Sequence, residues 1–408
     1  MTVPGPLAAF DPAEVLLLRM AAGARHLPED ELAAMDEAGW VRLAGRAEEL
    51  RVAAAFHVRA EQLGWPLSED VAVRFARDHR QWALKSLAHA RELARLGGIL
   101  AGAELPFLAL KGAALALTAY GSPAERPMRD IDLLLGYDDA LAAQALLLEH
   151  GWREAKGSAV MPPGTSNHLR ALEHGESGVM LEIHYRVSAS GRAGDAEITD
   201  LLWGEASNVR HRGALLAIPG PEALMLHQVE HATLQHLFDN GPQALADWRA
   251  MLDMGVIDWV KLVSSADTAG LGRALDLAMA CLALCGGCEL PGEIRGRAGA
   301  AMPQVSRALR LMLVRRDDPL ARNMARRSRA PGGNALGLSW ALAKAFSPTA
   351  EALAEIAGCG PDDPRRWLAY PAWAGRRAGI FLRARNDTRL AAESRRGDAM
   401  AKWLRTGD

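Results

Sequence analysis

The spacing of apolar positions changes along the chain and divides it into stretches. Residues 1–100 read as helix throughout. Leu16, Leu17, Leu18 and Met20 open the pattern, residues 30–62 alternate Ala, Leu and Val with Glu and Arg at helical spacing, and a long run passes through Val73, Phe75, Trp82, Leu84, Leu87 and Leu93. Ser68, in Ser-Glu-Asp-Val, reads as a capping box opening that run, and Gly97-Gly98 as the point that stops or loosens it. The pattern then shortens. Over 105–135 (LPFLALKGAALALTAYGSPAERPMRDIDLLL) an apolar run, Leu105 to Leu110, breaks at Lys111-Gly112. A short helical pattern from Ala113 to Tyr120 follows, then a turn at Gly121-Ser122-Pro123. Arg126 and Arg129 lead into Asp130-Ile131-Asp132 and a second apolar run. This predicts strand, glycine turn, helix, loop, strand.

Asp138 and Asp139 can cap a helix running to His150, which Gly151 ends; Trp152 begins an extended stretch, and 156–166 reads as a loop. Alternating runs at His168–Glu173 and Val179–Val187, joined by turn residues at Gly175–Gly178, predict a β-hairpin. From about 199 the pattern is helical again. Pro221-Glu222 starts a helix through Leu224, Leu226, Val229, Leu234 and Leu237, and further helices are expected over 243–254, 257–265 and 270–285. An Arg-rich stretch over 316–333 ends in Pro331-Gly332-Gly333 and reads as a linker or loop. A tail of broken helices follows, with Trp367, Trp373 and Trp403 as anchors. The expectation is an α+β architecture. Residues 1–100 form an N-terminal helical lobe, 101–195 a core built on a small mixed β-sheet, 196–300 a second helical lobe and 301–408 a basic C-terminal helical extension.

Composition narrows the class of protein. The 408 residues are 50% hydrophobic and 24% charged with a net charge of −2, so no global electrostatic case for a nucleic-acid partner exists. The charge is uneven: residues 307–408 carry 20 Lys and Arg against 10 Asp and Glu. That basic quarter either meets an acidic partner or answers the acidic remainder of the chain. No basic leader precedes the first apolar run, the helical runs all carry charge, and 4 cysteines make no disulfide framework; a cytoplasmic protein with no membrane segment is expected.

Successive strand side chains alternate faces, so Asp130 and Asp132 point the same way with Cα atoms about 6–7 Å apart. Two such carboxylates repel unless a cation sits between them. Period 2 also puts Glu182, His184 and Arg186 on one face of the second hairpin arm; that face is either solvent or, opposite the Asp pair, a site. Phosphoryl and nucleotidyl transfer need charge neutralisation on phosphate and an aligned hydroxyl, which divalent ions held by carboxylates supply. Gly112 ahead of a helix lets backbone N–H groups approach phosphate, and Arg126 and Arg129 are candidates for bidentate phosphate contacts.

Taken together, LALKGAALALTAYG, RPMRDIDLLL and LEIHYRV resemble a bacterial nucleotidyltransferase family with the pattern KGaaLa…Y…Rp…DiDlLv…EiHwr, a branch of the DNA polymerase β-like nucleotidyltransferase superfamily. The resemblance is specific from Leu105 to Val187 and extends loosely to about Pro291. It implies a metal-dependent transfer of NMP from an NTP, taken as ATP, to an acceptor hydroxyl. Asp130 and Asp132 would bind two Mg²⁺ (or Mn²⁺), Glu182 would complete the catalytic and metal set, and Lys111, Gly112 and Ala113 would hold the nucleotide with Arg126 and Arg129. The superfamily's usual Gly-Ser or Gly-Gly is Gly112-Ala113 here, so a serine contact to phosphate is absent. His184, Arg186, His227 and His231 are candidates for the acceptor side. The acceptor stays open among a sugar, a small metabolite and a peptide hydroxyl. A phosphate or glycosyl-phosphate tailoring of a peptide natural product on the same fold is the alternative.

Three other motifs compete. His227-Gln-Val-Glu230-His231 has the H-x-x-E-H spacing of inverted zinc peptidases, with Glu289 and Glu293 as the nearest candidate third ligands and His236 on about the same face. Cys281, Cys285 and Cys288 have the spacing of iron–sulfur ligands, but they sit at the end of an amphipathic helix closed by Gly286-Gly287 and read as core. Arg315, Arg316, Arg322, Arg326, Arg327 and Arg329 read as a solvated face, without the interleaved aromatics of a single-strand binder.

Overall fold

The computed structural model describes residues 5–155, 166–188, 194–314 and 347–407; the Arg-rich stretch over 315–329 lies outside them. In chain order the elements are α1 (Pro12–Ala21), α2 (Glu29–Ala33), α3 (Glu37–Glu49), α4 (Ala53–Leu63), α5 (Glu69–Gly102), β1 (Leu108–Ala109), α6 (Lys111–Thr118), β2 (Asp130–Leu134), α7 (Tyr137–Glu149), β3 (Trp152–Glu154), β4 (Leu172–His174) and β5 (Met180–His184). There follow α8 (Asp195–Gly204), β6 (Ser207–His211), β7 (Ala214–Ile218), α9 (Pro221–Glu230), one π turn (His231–Gln235), α10 (Gln243–Asp253), α11 (Trp259–Thr268), α12 (Gly272–Gly286) and α13 (Gly292–Met312). These make one compact unit. The second contains α14 (Ala350–Ala357), α15 (Tyr370–Asn386) and α16 (Thr388–Thr406).

The architecture is α+β: a five-stranded mixed sheet in the order β1-β2-β5-β4-β3, with helical regions before and after it. The strands are short and their apolar side chains are covered; Leu108, Ile131, Leu133, Leu172, Leu181 and Ile183 are all buried. β2 and β5 run parallel, and every other pairing in the sheet is antiparallel. The predicted hairpin is β4 and β5, its turn closed by Gly178 at φ +66°. Among the described residues, no helix is long and apolar enough to cross a membrane.

Four local expectations change. Residues 207–218, read as part of a helical stretch, form the hairpin β6–β7. Its two-residue turn places Arg212 at φ +48° and Gly213 at φ +89°, the doubly left-handed turn that matches strand twist. The glycines at 97 and 98 do not end α5, which continues to Gly102. Gly97 is instead where that hairpin lies on the helix: a Cβ there would stand 2.6 Å from Leu216 Cδ2, whereas Gly98 has nothing within 4 Å. Ser68 is the N-cap of α5 but its side chain accepts no capping bond; the third residue on, Val71, has no carboxylate to complete a box. In the second unit the core is Leu353, Ala369 and Trp373, with Trp367 exposed.

Gly97→Val is expected to destabilise the unit by about 1–3 kcal/mol through overpacking against Leu216. Gly98→Ala is expected to be neutral or to stabilise it by up to about 1 kcal/mol through helix propensity. Urea unfolding of both variants checks the pair; equal effects would show that the hairpin does not seat on Gly97.

Candidate active site

β1 ends by hooking onto β2. The amide of Leu110 donates to the carbonyl of Asp132 at 3.0 Å, which sets the next residue, Lys111, beside the Asp132 side chain. Lys111 then takes φ +47°, a left-handed conformation that costs a non-glycine residue of order 1–3 kcal/mol. The left-handed residue of this turn is therefore the lysine. Gly112 serves a different need: a Cβ there would stand 2.8 Å from Arg126 Nη1 and 2.9 Å from Met128 Cγ. Absence of a side chain at 112 lets the 126–128 segment close over the start of α6.

The parallel register of β2 and β5 pairs Asp132 with Glu182 and Leu134 with His184. Lys111 Nζ donates to Asp132 Oδ1 at 2.7 Å, and His184 Nε2 lies 2.8 Å from the same oxygen. Lys111 Nζ is also 3.3 Å from His184 Nε2, and on the far side of the ring Asn167 Nδ2 lies 3.2 Å from Nδ1. Glu182 Oε2 is 3.4 Å from His184 Nε2. Ligand atoms of Asp132, Glu182 and His184 all lie within 4.8 Å of one another; among the described residues this is the one such group of His, Cys, Asp and Glu.

Electrostatics distinguish the three carboxylates. Burial would raise Asp132, but the Lys111 ammonium and the His184 hydrogen bond outweigh it and hold its carboxyl far below the usual range. Burial also opposes the Lys111 charge, yet Asp132 and then Glu182 and Asp130 keep its ammonium above the ordinary lysine value. Glu182 is lowered too, burial being overcome chiefly by the His184 hydrogen bond. Asp130 goes the other way: burial, Asp132 and Glu182 raise it against the weaker pull of Lys111 and Arg129. That excess of negative charge is the condition a divalent ion relieves, and the donor set fits one. Carboxylate oxygens suit Mg²⁺, and an imidazole nitrogen extends the set toward Mn²⁺.

Asp132 and Glu182 come together with His184; Asp130 is not in that group, though it feels the charges of Asp132 and Glu182. His184, expected on the acceptor side, lies inside the cluster. Ala113 is buried and its amide donates to Leu110 O at 3.1 Å, so the backbone donor expected for phosphate is already engaged. Arg126, expected to contact phosphate, is claimed by Asp247 of α10: Nε and Nη2 donate to its two carboxylate oxygens at 3.1 and 2.8 Å, and Nη1 donates to the carbonyl of Pro127 at 3.1 Å. Tyr120 donates to Asp247 Oδ1 at 2.7 Å, and Gln243 of α10 donates to Pro127 O at 3.2 Å. The arginine is a clamp that fixes the loop ahead of β2. Arg129 is exposed beside Asp130. Arg186 is exposed past the end of β5 with its guanidinium 5.6 Å from the Tyr185 ring centroid, outside the cluster.

His231 is close enough to Lys111 and Asp132 to feel both charges. Burial, then Lys111, His236 and His227, pull its imidazole well below the usual histidine range, so it is neutral near pH 7. His227 is fully buried with neither ring nitrogen hydrogen-bonded. His227 and His231 do lie one helical turn apart, the His231 amide donating to the His227 carbonyl, but no third ligand joins them among the described residues, so the zinc reading is not supported. Two of the three cysteines are core, as expected of their place on α12, while Cys288 lies past the end of that helix and is only partly buried. Cys281 and Cys285 are buried and free, and burial pushes the Cys285 thiol up to about 12.

A family model described as an uncharacterised nucleotidyltransferase matches residues 36–287, a span that holds the sheet, the cluster and the α10 clamp. No curated protein matches the chain.

Asp247→Ala is expected to cost about 3–5 kcal/mol of stability, because it strands the largely buried Arg126 charge. Replacing both partners, Arg126→Met with Asp247→Leu, is expected to recover most of that loss. Equilibrium unfolding of the single and double variants measures the coupling; a single variant as stable as the parent would contradict the clamp.

Proposed function

The chain belongs to this nucleotidyltransferase family, and we propose that it transfers NMP from an NTP, ATP in the first instance, to an acceptor hydroxyl with Mg²⁺ or Mn²⁺. The observation that carries this reading is the register that sets Asp132 against Glu182, with His184 on the Asp132 carboxylate. A divalent ion would be held by Asp132, Glu182 and His184 with Asp130 alongside. When bound, it would polarise the α-phosphate and neutralise the departing pyrophosphate.

The chain's own groups divide the remaining work. Lys111 keeps Asp132 ionised and oriented, and the strained φ at Lys111 directs its ammonium toward that carboxylate rather than into solvent. The Asn167 amide fixes the His184 ring from its far side. The hydroxyl oxygen of the acceptor bonds to the α-phosphorus, the bond from that phosphorus to the bridging oxygen breaks, and pyrophosphate leaves. Glu182, ionised and half-buried at the open side of the cluster, is the carboxylate we assign to receive the hydroxyl proton. The neutral imidazole of His231 lines the same region and suits an acceptor contact. Kinship with the bacterial polymerase-β-like branch, a cytoplasmic setting, and an acceptor that is a sugar, a small metabolite or a peptide are parts of this proposal.

The test is incubation with each NTP, Mg²⁺ or Mn²⁺ and a panel of hydroxyl acceptors, read by pyrophosphate release and by the mass of the product. An NMP adduct is expected. EDTA is expected to abolish turnover and added Mg²⁺ to restore it, and Asp132→Asn is expected to lower turnover by at least about 10²–10³-fold, on the scale of removing one key electrostatic group. Near-parental activity in Asp132→Asn, or turnover that survives EDTA, would sink the reading.

A further inference from the structure

One histidine reaches the face of the cluster through an irregularity of the sheet. β4 and β5 pair Leu172 with Leu181, on the apolar face where Ile183 is also buried. Counting by twos back from Leu172 would put His168 on that apolar face. It lies instead opposite His184, so its strand advances four residues where β5 advances three. The extra residue makes a β-bulge, a device that re-aims side chains beside functional sites. It turns His168 to the face that carries His184 and Glu182.

The segment is fixed in that position. The Leu169 amide donates to Ile183 O at 2.9 Å and the Tyr185 amide to Asn167 O at 3.0 Å. His168 and His184 are therefore a non-hydrogen-bonded antiparallel pair, the kind whose side chains stand closest, and their ring centroids are 5.3 Å apart. The Tyr185 hydroxyl donates to Ser166 O at 2.7 Å, and Ser166 Oγ donates to His168 O at 2.9 Å. The ring is tied as well, with Nδ1 2.7 Å from Leu169 O. A carbonyl only accepts, so Nδ1 carries the proton and, in the neutral ring, Nε2 keeps a bare lone pair. His168 is half-buried, and its Nε2 has no hydrogen-bond partner among the described residues. One nitrogen donating to a backbone carbonyl and the other left bare is the usual state of a metal-ligating histidine. Glu182 is the diagonal neighbour of His168 on this face, within reach of a long side chain.

Resting on the reading of this cluster as a divalent-cation site for nucleotidyl transfer, we infer that His168 supplies Nε2 as a further metal ligand, to an ion it shares with Glu182. His168 stands outside the group formed by Asp132, Glu182 and His184, so the ion it holds is a second one, on the Glu182 side. Ions in two-metal sites lie about 3.5–4 Å apart, which lets one carboxylate border both. A nitrogen ligand also selects the ion. Mg²⁺ takes oxygen ligands, whereas imidazole suits transition metals, so His168 favours Mn²⁺ over Mg²⁺.

The test is Mn²⁺ titration of the parent, His168→Ala and His168→Gln, with Mg²⁺ affinity obtained by competition and pulsed electron paramagnetic resonance of the bound Mn²⁺. The parent is expected to show imidazole-nitrogen modulation of the Mn²⁺ echo. His168→Ala is expected to lose part of that modulation and to bind Mn²⁺ at least about 10-fold more weakly, with Mg²⁺ affinity unchanged. If His168→Ala fails to fold, His168→Gln, which keeps bulk and an acceptor atom, is expected to fold and to lose the same modulation. A folded variant that keeps the parent's modulation overturns the assignment. Equal weakening of Mn²⁺ and Mg²⁺ also overturns it, since His168 then only shapes the site. A parent that binds Mn²⁺ without imidazole modulation overturns this inference alone, and a parent that binds no Mn²⁺ overturns the cation reading and this inference with it.

Discussion

A carboxylate removed from water stays ionised only if cationic donors surround it, since the solvation lost is worth several kcal/mol. Asp132 is in that position: its residue is 5% exposed, and one of its oxygens receives both Lys111 and His184. Each partner reaches it by a separate structural device. Lys111 gets there because β1 hydrogen-bonds to the Asp132 backbone and the following residue turns left-handed. His184 gets there because β5 pairs with β2 in parallel, two residues beyond Glu182. The sheet order, the strained lysine and the crossover from β2 to β5 all serve the surroundings of one side chain.

The rest of the first unit holds that arrangement still. The loop between α6 and β2 carries no regular sheet hydrogen bonding, yet it must deliver Asp130 and Asp132 in register. It is tied from α10 through Asp247 and Gln243 and from α5 through Ser86, whose hydroxyl donates to Pro123 O at 3.0 Å. Gly112 leaves the room that Arg126 needs to reach Asp247. The helices that make these contacts, α5, α6 and α10, all lie within the residues that the family model matches.

Much of this was legible along the chain because it rests on short-range periodicity. Alternation placed Asp130 with Asp132 and Glu182 with His184, and the β4–β5 hairpin was marked by its turn residues. What was not legible depends on partners distant in sequence. Nothing near Arg126 announces Asp247, 121 residues later, so an arginine beside a phosphate-like motif reads as a phosphate ligand. The β6–β7 hairpin was hidden because its turn is Arg-Gly rather than Asn-Gly or Asp-Gly. The H-x-x-E-H spacing does hold one α-helical turn, and the motif fails for want of a third ligand from another element among the described residues, which no spacing along one helix reveals.

The central claim is that the carboxylates gathered around Asp132 hold a divalent cation. Titration of Mn²⁺ followed by electron paramagnetic resonance measures this without knowledge of nucleotide or acceptor. The account predicts saturable Mn²⁺ binding to the parent protein, competed by Mg²⁺ and lost in Asp132→Asn. Equal Mn²⁺ binding by parent and Asp132→Asn, or no binding by the parent, would contradict it.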